Sequence, residues 1–415
     1  MIFVCVGQFL IFYDRFLLAA VAPMIQRDLS LTDWQMGVLL GPAMALAFCG
    51  TAVVCSQFAS RHGRRRSLTI GLLVWSVAAI AIAFASSFAS MVIARISLGL
   101  GQAVFMPIAM TLLVDTAPVG RRGVALALFT GSSTTGRGLA LLTAGAILAI
   151  LAREGVSADG IVAWRVLLVI TGLPTLLLVA AARIVPVTTS PHKPDRRREA
   201  SVAEWLRTHR SAVANAALIA VAPVVAVQTL SLWMPIMLTR AFSVPLGTLS
   251  AALGGITLVT APAGHLIGGH LVDRFDGWRR SPGQLVVLAM VLALPVVCIA
   301  AITEQFGAAL LAIAVLNVLL GIATIAGLTG MQNVSPAPVR ESVNGYFLAF
   351  TTLVGVGIGP ALAGLLSGLE HGEGRLGIAL ALVVVTALST ALASMALVYG
   401  RRSLSTIAVE VRGFE

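Results

Sequence analysis

Twelve apolar runs, each long enough to cross a bilayer, divide this chain. They fall at 1–23, 34–59, 68–87, 90–113, 123–151, 164–185, 212–239, 248–272, 283–303, 306–331, 343–368 and 376–400. A spanning helix needs roughly 20 apolar residues. The runs are continuous and do not alternate, so they predict helices and not the strands of a membrane barrel. The first run is not read as a cleavable leader. Asp14-Arg15 interrupts it, and no small-residue cleavage site follows.

Polar segments between the runs alternate in charge. One set carries Arg61, Arg64, Arg65 and Arg66, then Arg121 and Arg122, then the stretch from Lys193 to Arg210, then Arg274, Arg279, Arg280, Arg340, Arg401 and Arg402. The other set mixes Arg27, Arg153, Arg165, Arg240 and Arg375 with Asp28, Asp33, Glu154, Asp159, Glu304, Glu370 and Glu373. Basic residues gather on the cytoplasmic side of membrane proteins. The first set is therefore expected in the cytoplasm together with both termini, the membrane being the plasma membrane of a bacterium.

The long polar stretch predicts the domain division. Residues 1–185 form one six-helix half, 186–211 a proline-containing basic linker, 212–400 the second half and 401–415 a cytoplasmic tail. Within the linker, 201–210 reads as an amphipathic surface helix with Trp205 and Leu206 inward. The halves repeat. SQFASRHGRRR, with Arg61, answers GHLVDRFDGWRR, with Arg274, 213 residues later. Arg122 and Arg340 are 218 residues apart. Parallel repeats of this kind belong to transporters, whose substrate site lies between the repeats near the midplane.

Composition agrees with this. Of 415 residues, 58% are hydrophobic and 11% charged, and the mean hydropathy is +0.97. A soluble domain carries about 25% charged residues. A soluble enzyme, a disordered chain and a secreted disulfide scaffold are excluded. The net charge of +11 belongs to loops that set topology and does not point to nucleic acid. Cys5, Cys49, Cys55 and Cys298 lie in apolar runs without C-x-x-C spacing. They read as small core residues, with no metal site and no disulfide framework.

These motifs resemble those of the major facilitator superfamily. The loop signature G-x-x-x-D-R-x-G-R-R/K is matched after helix 8 by Gly269, Asp273, Arg274, Gly277, Arg279 and Arg280, with one residue extra. After helix 2 it is matched by Arg61, Gly63, Arg64 and Arg65, with Ser56 and Ser60 replacing glycine and aspartate. Arg95, Gly99 and Gly101 match the helix 4 signature R-x-x-x-G-x-G, and Trp164-Arg165 opens helix 6. Phe12-Tyr13-Asp14-Arg15, Leu31-Thr32-Asp33, Gly172-Leu173-Pro174, Trp233-Met234-Pro235 with Arg240, and Gly355-x-Gly357-x-Gly359-Pro360 are similar to the spinster-like subgroup. The anion:cation symporter group shares the Asp-Arg pair. The resemblance implies an all-α fold of two pseudo-symmetric six-helix halves, with the loop motifs acting in gating. Both groups usually carry G-x-G-E-A in helix 4. Here it reads Gly99-Leu100-Gly101-Gln102-Ala103, an amide in place of a carboxylate associated with proton coupling. Gly136 is followed by Arg137, not by the proline of the antiporter signature.

Few residues in the predicted helices carry chemistry. Asp14 is the acid deep inside a run. A charge at the bilayer centre costs about 2.5–3.5 kcal/mol on insertion scales, so it faces a cavity or has a partner. It is the candidate proton carrier, with a structural ion pair as the competing role. Arg15, Arg95 and Arg137 are the intramembrane cations, and a guanidinium suits carboxylate, phosphate or sulfate. Gln102, Gln228, Asn317 and Gln332 either bind substrate or join helices. Trp233 and Phe105 line a pocket or pack. His265 and His270 read as structural or gating residues.

These observations predict a secondary transporter that moves a small organic anion or anionic amphiphile by alternating access, most simply as a proton symporter. It is expected to be a monomer in contact with membrane lipid and to need no cofactor. No Walker A motif, nucleophile elbow or metal-ligand cluster is present, so enzyme activity and ATP-driven pumping are not expected. A uniporter, a multidrug-type exporter and a non-transporting sensor of the same fold are the alternatives.

Overall fold

The computed structural model describes residues 1–51, 63–116, 122–155, 161–184, 204–277, 282–336, 340–369 and 375–412. Helix is the regular structure throughout the described residues, and twelve of its helices are long and apolar enough to cross a membrane. They are α1 (Ile2–Asp28), α2 (Asp33–Thr51), α3 (Arg64–Ala81), α4 (Phe88–Thr116), α5 (Arg122–Arg153) and α6 (Ile161–Ala182). The series continues with α7 (Arg210–Ala241), α8 (Leu246–Gly277), α9 (Pro282–Ile302), α10 (Phe306–Asn333), α11 (340–369) and α12 (Arg375–Arg412). Each coincides with an apolar run expected from the sequence.

Local chemistry sets several helix ends. The turn after α1 puts Ser30 in the left-handed region at φ 50°. Thr32 then caps α2 in a capping box with Gln35, satisfying two backbone donors that the first turn leaves free. Ser87 and Ser90 cap α4 reciprocally through their hydroxyls. Gly63 precedes α3 at φ 87°, a conformation open to glycine without strain. Within α11, residues Thr352–Ile358 form a π-helical turn, where Gly355 packs against Val224 of α7.

Packing divides the chain into two compact units. The first contains Met1–Pro191, Ser231–Leu258 and Gly364–Ile378. In it α1 lies mainly on α5, and α3 on α4 and α6. At one end, the Asp28 carboxylate accepts from Trp164 Nε1 at 3.1 Å and from Arg165 Nη2 at 2.9 Å. Arg165 Nη1 reaches the carbonyls of Ala83 and Ala85 at 2.9 Å, tying α1, α3 and α6 together.

The second unit contains His192–Leu230, Val259–Ala363 and Ala379–Glu415. Gly264 and Gly268 of α8 fit against the backbone of α10. At the basic end Ala212, Ala216, Ala220, Met331, Val334, Val343 and Ile407 make a buried cluster. Trp205 and Leu206, expected to turn inward from a surface helix, pack on this cluster. The α12 helix reaches it because 38 residues extend about 57 Å, well beyond a hydrocarbon core of about 30 Å.

The linker residues 186–203 lie outside the described residues. So do Arg61, Arg279 and Arg280 of the loop motifs, as well as Cys55. Cys5, Cys49 and Cys298 are half-buried and form no disulfide among the described residues.

Candidate functional site

The α1 helix carries Asp14 into the first unit, where it is 8% exposed. Its carboxylate accepts a hydrogen bond from Trp75 Nε1 of α3 at 2.6 Å. The approach of α3 to α4 makes this contact possible. A Cβ on Gly101 would sit 2.6 Å from the Trp75 backbone nitrogen, and one on Gly71 2.7 Å from Val104. The Trp75 indole stands edge-on to Phe105 at 6.0 Å, and Phe105 meets Phe3 at 6.1 Å. Phe105 is thus a packing residue that holds the indole.

Arg95, on α4, is fully buried. Its Nε donates to the Leu39 carbonyl of α2 at 3.0 Å. It interacts electrostatically with both Asp14 and Arg15. Gly99, one turn on, lets α4 lie against the Met44 carbonyl. Arg95 Nη1 and Nη2 have no hydrogen-bond partner among the described residues. Neither do the two amide ends of Gln102, seven residues later on the same helix, nor Ser76 Oγ beside Trp75. An unmet buried polar group costs about 1–3 kcal/mol, so these atoms are a costly polar cluster in an apolar interior.

Arg15 and Arg137 are held differently. The Arg15 guanidinium lies over the Phe12 ring at 5.1 Å, and that of Arg137 over Phe16 at 5.7 Å. The two rings are one helical turn apart on α1. The Arg15 Nη2 meets the Met44 Sδ at 3.9 Å, and the Nε of each arginine is buried without a partner among the described residues. Neither guanidinium is paired with a carboxylate among the described residues. Gly136 sets the α1–α5 distance, since a Cβ there would lie 3.2 Å from the Phe9 carbonyl carbon and overlap its oxygen. The same seam bonds Gln8 Nε2 to Ser133 Oγ at 2.9 Å and Tyr13 Oη to Thr143 Oγ1 at 2.7 Å.

The remaining candidates are dispersed. Trp233 is fully buried in the first unit, against Gly364. Gln228 and Asn317 belong to the second. Gln228 is 5% exposed on α7, and Asn317 Nδ2 is buried on α10 without a partner among the described residues. Gln332 is exposed at the end of α10, His265 is half-buried, and His270 is exposed. Of the loop motifs, Gly269 is half-buried on α8, and Asp273 and Arg274 are exposed near its end. Arg65 is exposed on α3, and the Arg64 side chain lies outside the described residues. Sequence reasoning did not find Trp75, Gln8, Ser133, Phe12 or Phe16 as site residues. Aromatic and small polar residues in an apolar run carry no signal until a partner helix is placed beside them.

A family model described as the Major Facilitator Superfamily matches residues 4–360. The chain belongs to this superfamily. A D-xylose transporter of Levilactobacillus brevis is 28% identical over 44% of the chain and 38% of its own length. The sphingosine-1-phosphate transporter SPNS2 of Xenopus tropicalis is 28% identical over 63% of the chain and 52% of its own length. The chain thus spans between about two fifths and half of these relatives. Among solved structures, a bacterial homologue of the human lysosomal transporter Spinster, inward-facing and occupied, superposes with a TM-score of 0.74. It is 20% identical over 99% of this chain and 96% of its own. The fold is therefore that of the superfamily, a multi-pass membrane protein built of spanning helices.

Proposed function

We propose that the protein is a secondary transporter that moves a small organic anion or an anionic amphiphile across the plasma membrane by alternating access. The observation that carries this reading is the imbalance of buried charge in the first unit. Arg15, Arg95 and Arg137 are each at most 8% exposed, and of the two buried acids among the described residues, Asp14 and Asp33, the second is paired with Arg240. Buried charges are stable when paired and hydrogen-bonded. Arg95 bonds the Leu39 carbonyl and feels the Asp14 charge, whereas Arg15 and Arg137 rest on aromatic faces. Cation–π contacts contribute about 0.5–2 kcal/mol each, less than an ion pair needs to offset desolvation. An anionic group supplied by substrate completes both forks with charge-assisted bonds.

Asp14 is the coupling residue in this reading. It accepts from a neutral donor, Trp75, so it keeps its site whether charged or protonated. The basic loop set faces the cytoplasm, and the functional unit is a monomer in direct contact with lipid. A uniporter is the second reading, favoured by Gln102, an amide with both ends unmet that cannot bind or release a proton.

A thermal-shift screen of the purified protein against organic acids, lysolipids and matched cationic compounds tests the substrate class. Anions are expected to stabilise it in proportion to their affinity. Stabilisation by cations alone would overturn the reading.

A further inference from the structure

The α12 helix meets the second unit with one face and leaves the other uncovered. On the packed face, a Cβ on Gly400 would lie 2.7 Å from Asn215 Cβ of α7, and one on Gly283 of α9 would lie 3.1 Å from Leu397 Cδ1. On the other face Leu388, Leu392, Met395 and Tyr399 are exposed. They follow one another at helical spacing, and Arg402, also exposed, is the next residue on the same side. From Leu388 to Tyr399 the stripe runs about 16 Å, close to half a hydrocarbon core of about 30 Å. Tyrosine favours the level of the lipid headgroups. Beside this stripe exposed Val398 is followed, one turn on, by exposed Arg401. An apolar track the depth of one leaflet therefore ends on two guanidinium groups.

The neighbouring wall is the start of α7. Backbone bonds from His209 N to the Trp205 carbonyl and from Val213 N to the His209 carbonyl, both 3.0 Å, carry the helical ladder of α7 back into the linker. Trp205 and Leu206 are pinned on the buried cluster that also holds Ile407 and Leu404 of α12. Arg207, Ser211 and Asn215 recur every four residues, so Arg207 stands on the side of the helix that meets Gly400. Arg207 and Arg210 are both exposed. Among the described side chains of 204–211 and 401–407, the charged residues that cannot lose their charge are four arginines, and the acid is Glu204. The seam is strongly positive where it leaves the membrane.

We propose that the outer end of the α7–α12 seam binds an anionic phospholipid. One acyl chain lies along Leu388, Leu392 and Met395. The phosphate meets the forks of Arg401 and Arg402, with the Tyr399 hydroxyl beside it, and Arg207 and Arg210 attract the headgroup from the linker side. A free phosphate would use the arginines and leave the apolar track idle, so the combination selects a lipid. The site uses none of the buried arginines of the first unit and does not depend on which solute is carried.

The test is native mass spectrometry of the full chain in mixed micelles, given equal amounts of phosphatidylglycerol and phosphatidylcholine with the same acyl chains. Phosphatidylglycerol should be retained preferentially. A basic residue at an anionic lipid surface contributes about fivefold. Arg401→Gln and Arg402→Gln should each lower its retention by about that factor, and the double variant by about 25-fold. Met395→Ser should lower the retention of both lipids. Arg153→Gln, exposed at the end of α5 among the mixed set of charges, should change nothing. On the wild-type protein alone, raising the salt screens exposed charges and should bring phosphatidylglycerol down toward phosphatidylcholine, a measurement that stands where a variant does not fold. Equal retention of the two lipids, indifference to salt, or full retention by the double variant would overturn the site. An equal loss in Arg153→Gln would make the preference one of overall charge, and displacement by equimolar inorganic phosphate would assign the arginines to a free anion. Either outcome also overturns it.

Discussion

Replacing Trp75 with phenylalanine keeps a ring against Phe105 and removes the donor that meets Asp14 at 2.6 Å. A hydrogen bond to a charged group contributes about 1.5–3 kcal/mol net, and one between neutral groups about 0.5–1.5 kcal/mol. The loss of indole volume adds its own cost, which a double-mutant cycle removes. The cycle compares Trp75→Phe, Asp14→Asn and the double variant by unfolding in mixed micelles. With Asp14 ionised, the interaction energy should be about 1.5–3 kcal/mol. As the pH falls and Asp14 takes up its proton, it should drop toward the neutral range of about 0.5–1.5 kcal/mol. The neighbouring charges, Arg95 and Arg15, keep theirs over this range, so the change belongs to Asp14. Additivity within about 0.3–0.5 kcal/mol, the tolerance for independent sites, would refute the coupling of the pair. A constant energy across the pH range would refute Asp14 as the titrating group.

Three further outcomes are expected. Arg137→Lys keeps the charge but loses the fork over Phe16, so it should weaken binding of an anionic solute several-fold, and Arg137→Gln should weaken it more. Normal binding by both variants in calorimetric titration would make Arg137 structural. Gln102→Glu introduces a second buried ionisable group on the helix that carries Arg95 and should shift the pH optimum of transport in vesicles. An unchanged profile would separate position 102 from coupling. Gly136→Ala drives a methyl group into the Phe9 carbonyl, and overpacking of this kind costs about 1–3 kcal/mol. It should lower thermal stability and slow transport by parting the Gln8–Ser133 and Tyr13–Thr143 bonds. Wild-type stability would show that α1 and α5 have room to spare.

The sequence by itself determined the twelve helices, because a bilayer admits so few ways to satisfy a backbone that continuous apolar runs specify helix count almost alone. It also singled out Asp14, Arg15, Arg95 and Arg137, since a charge within such a run is costly wherever it points. The partners of these groups came from the tertiary structure. Trp75 lies 61 residues from Asp14, and it becomes a ligand because Gly71 and Gly101 bring α3 against α4. Phe12 and Phe16 look like any phenylalanines of a spanning helix until Arg15 and Arg137 lie over them. Asp33 and Arg240 are 207 residues apart and read as separate loop charges in a mixed set. Only the packing of α2, α7 and α11 buries them as one pair. A single charge is visible in one dimension. Its neutralisation is a property of distance, which the chain acquires when its helices meet.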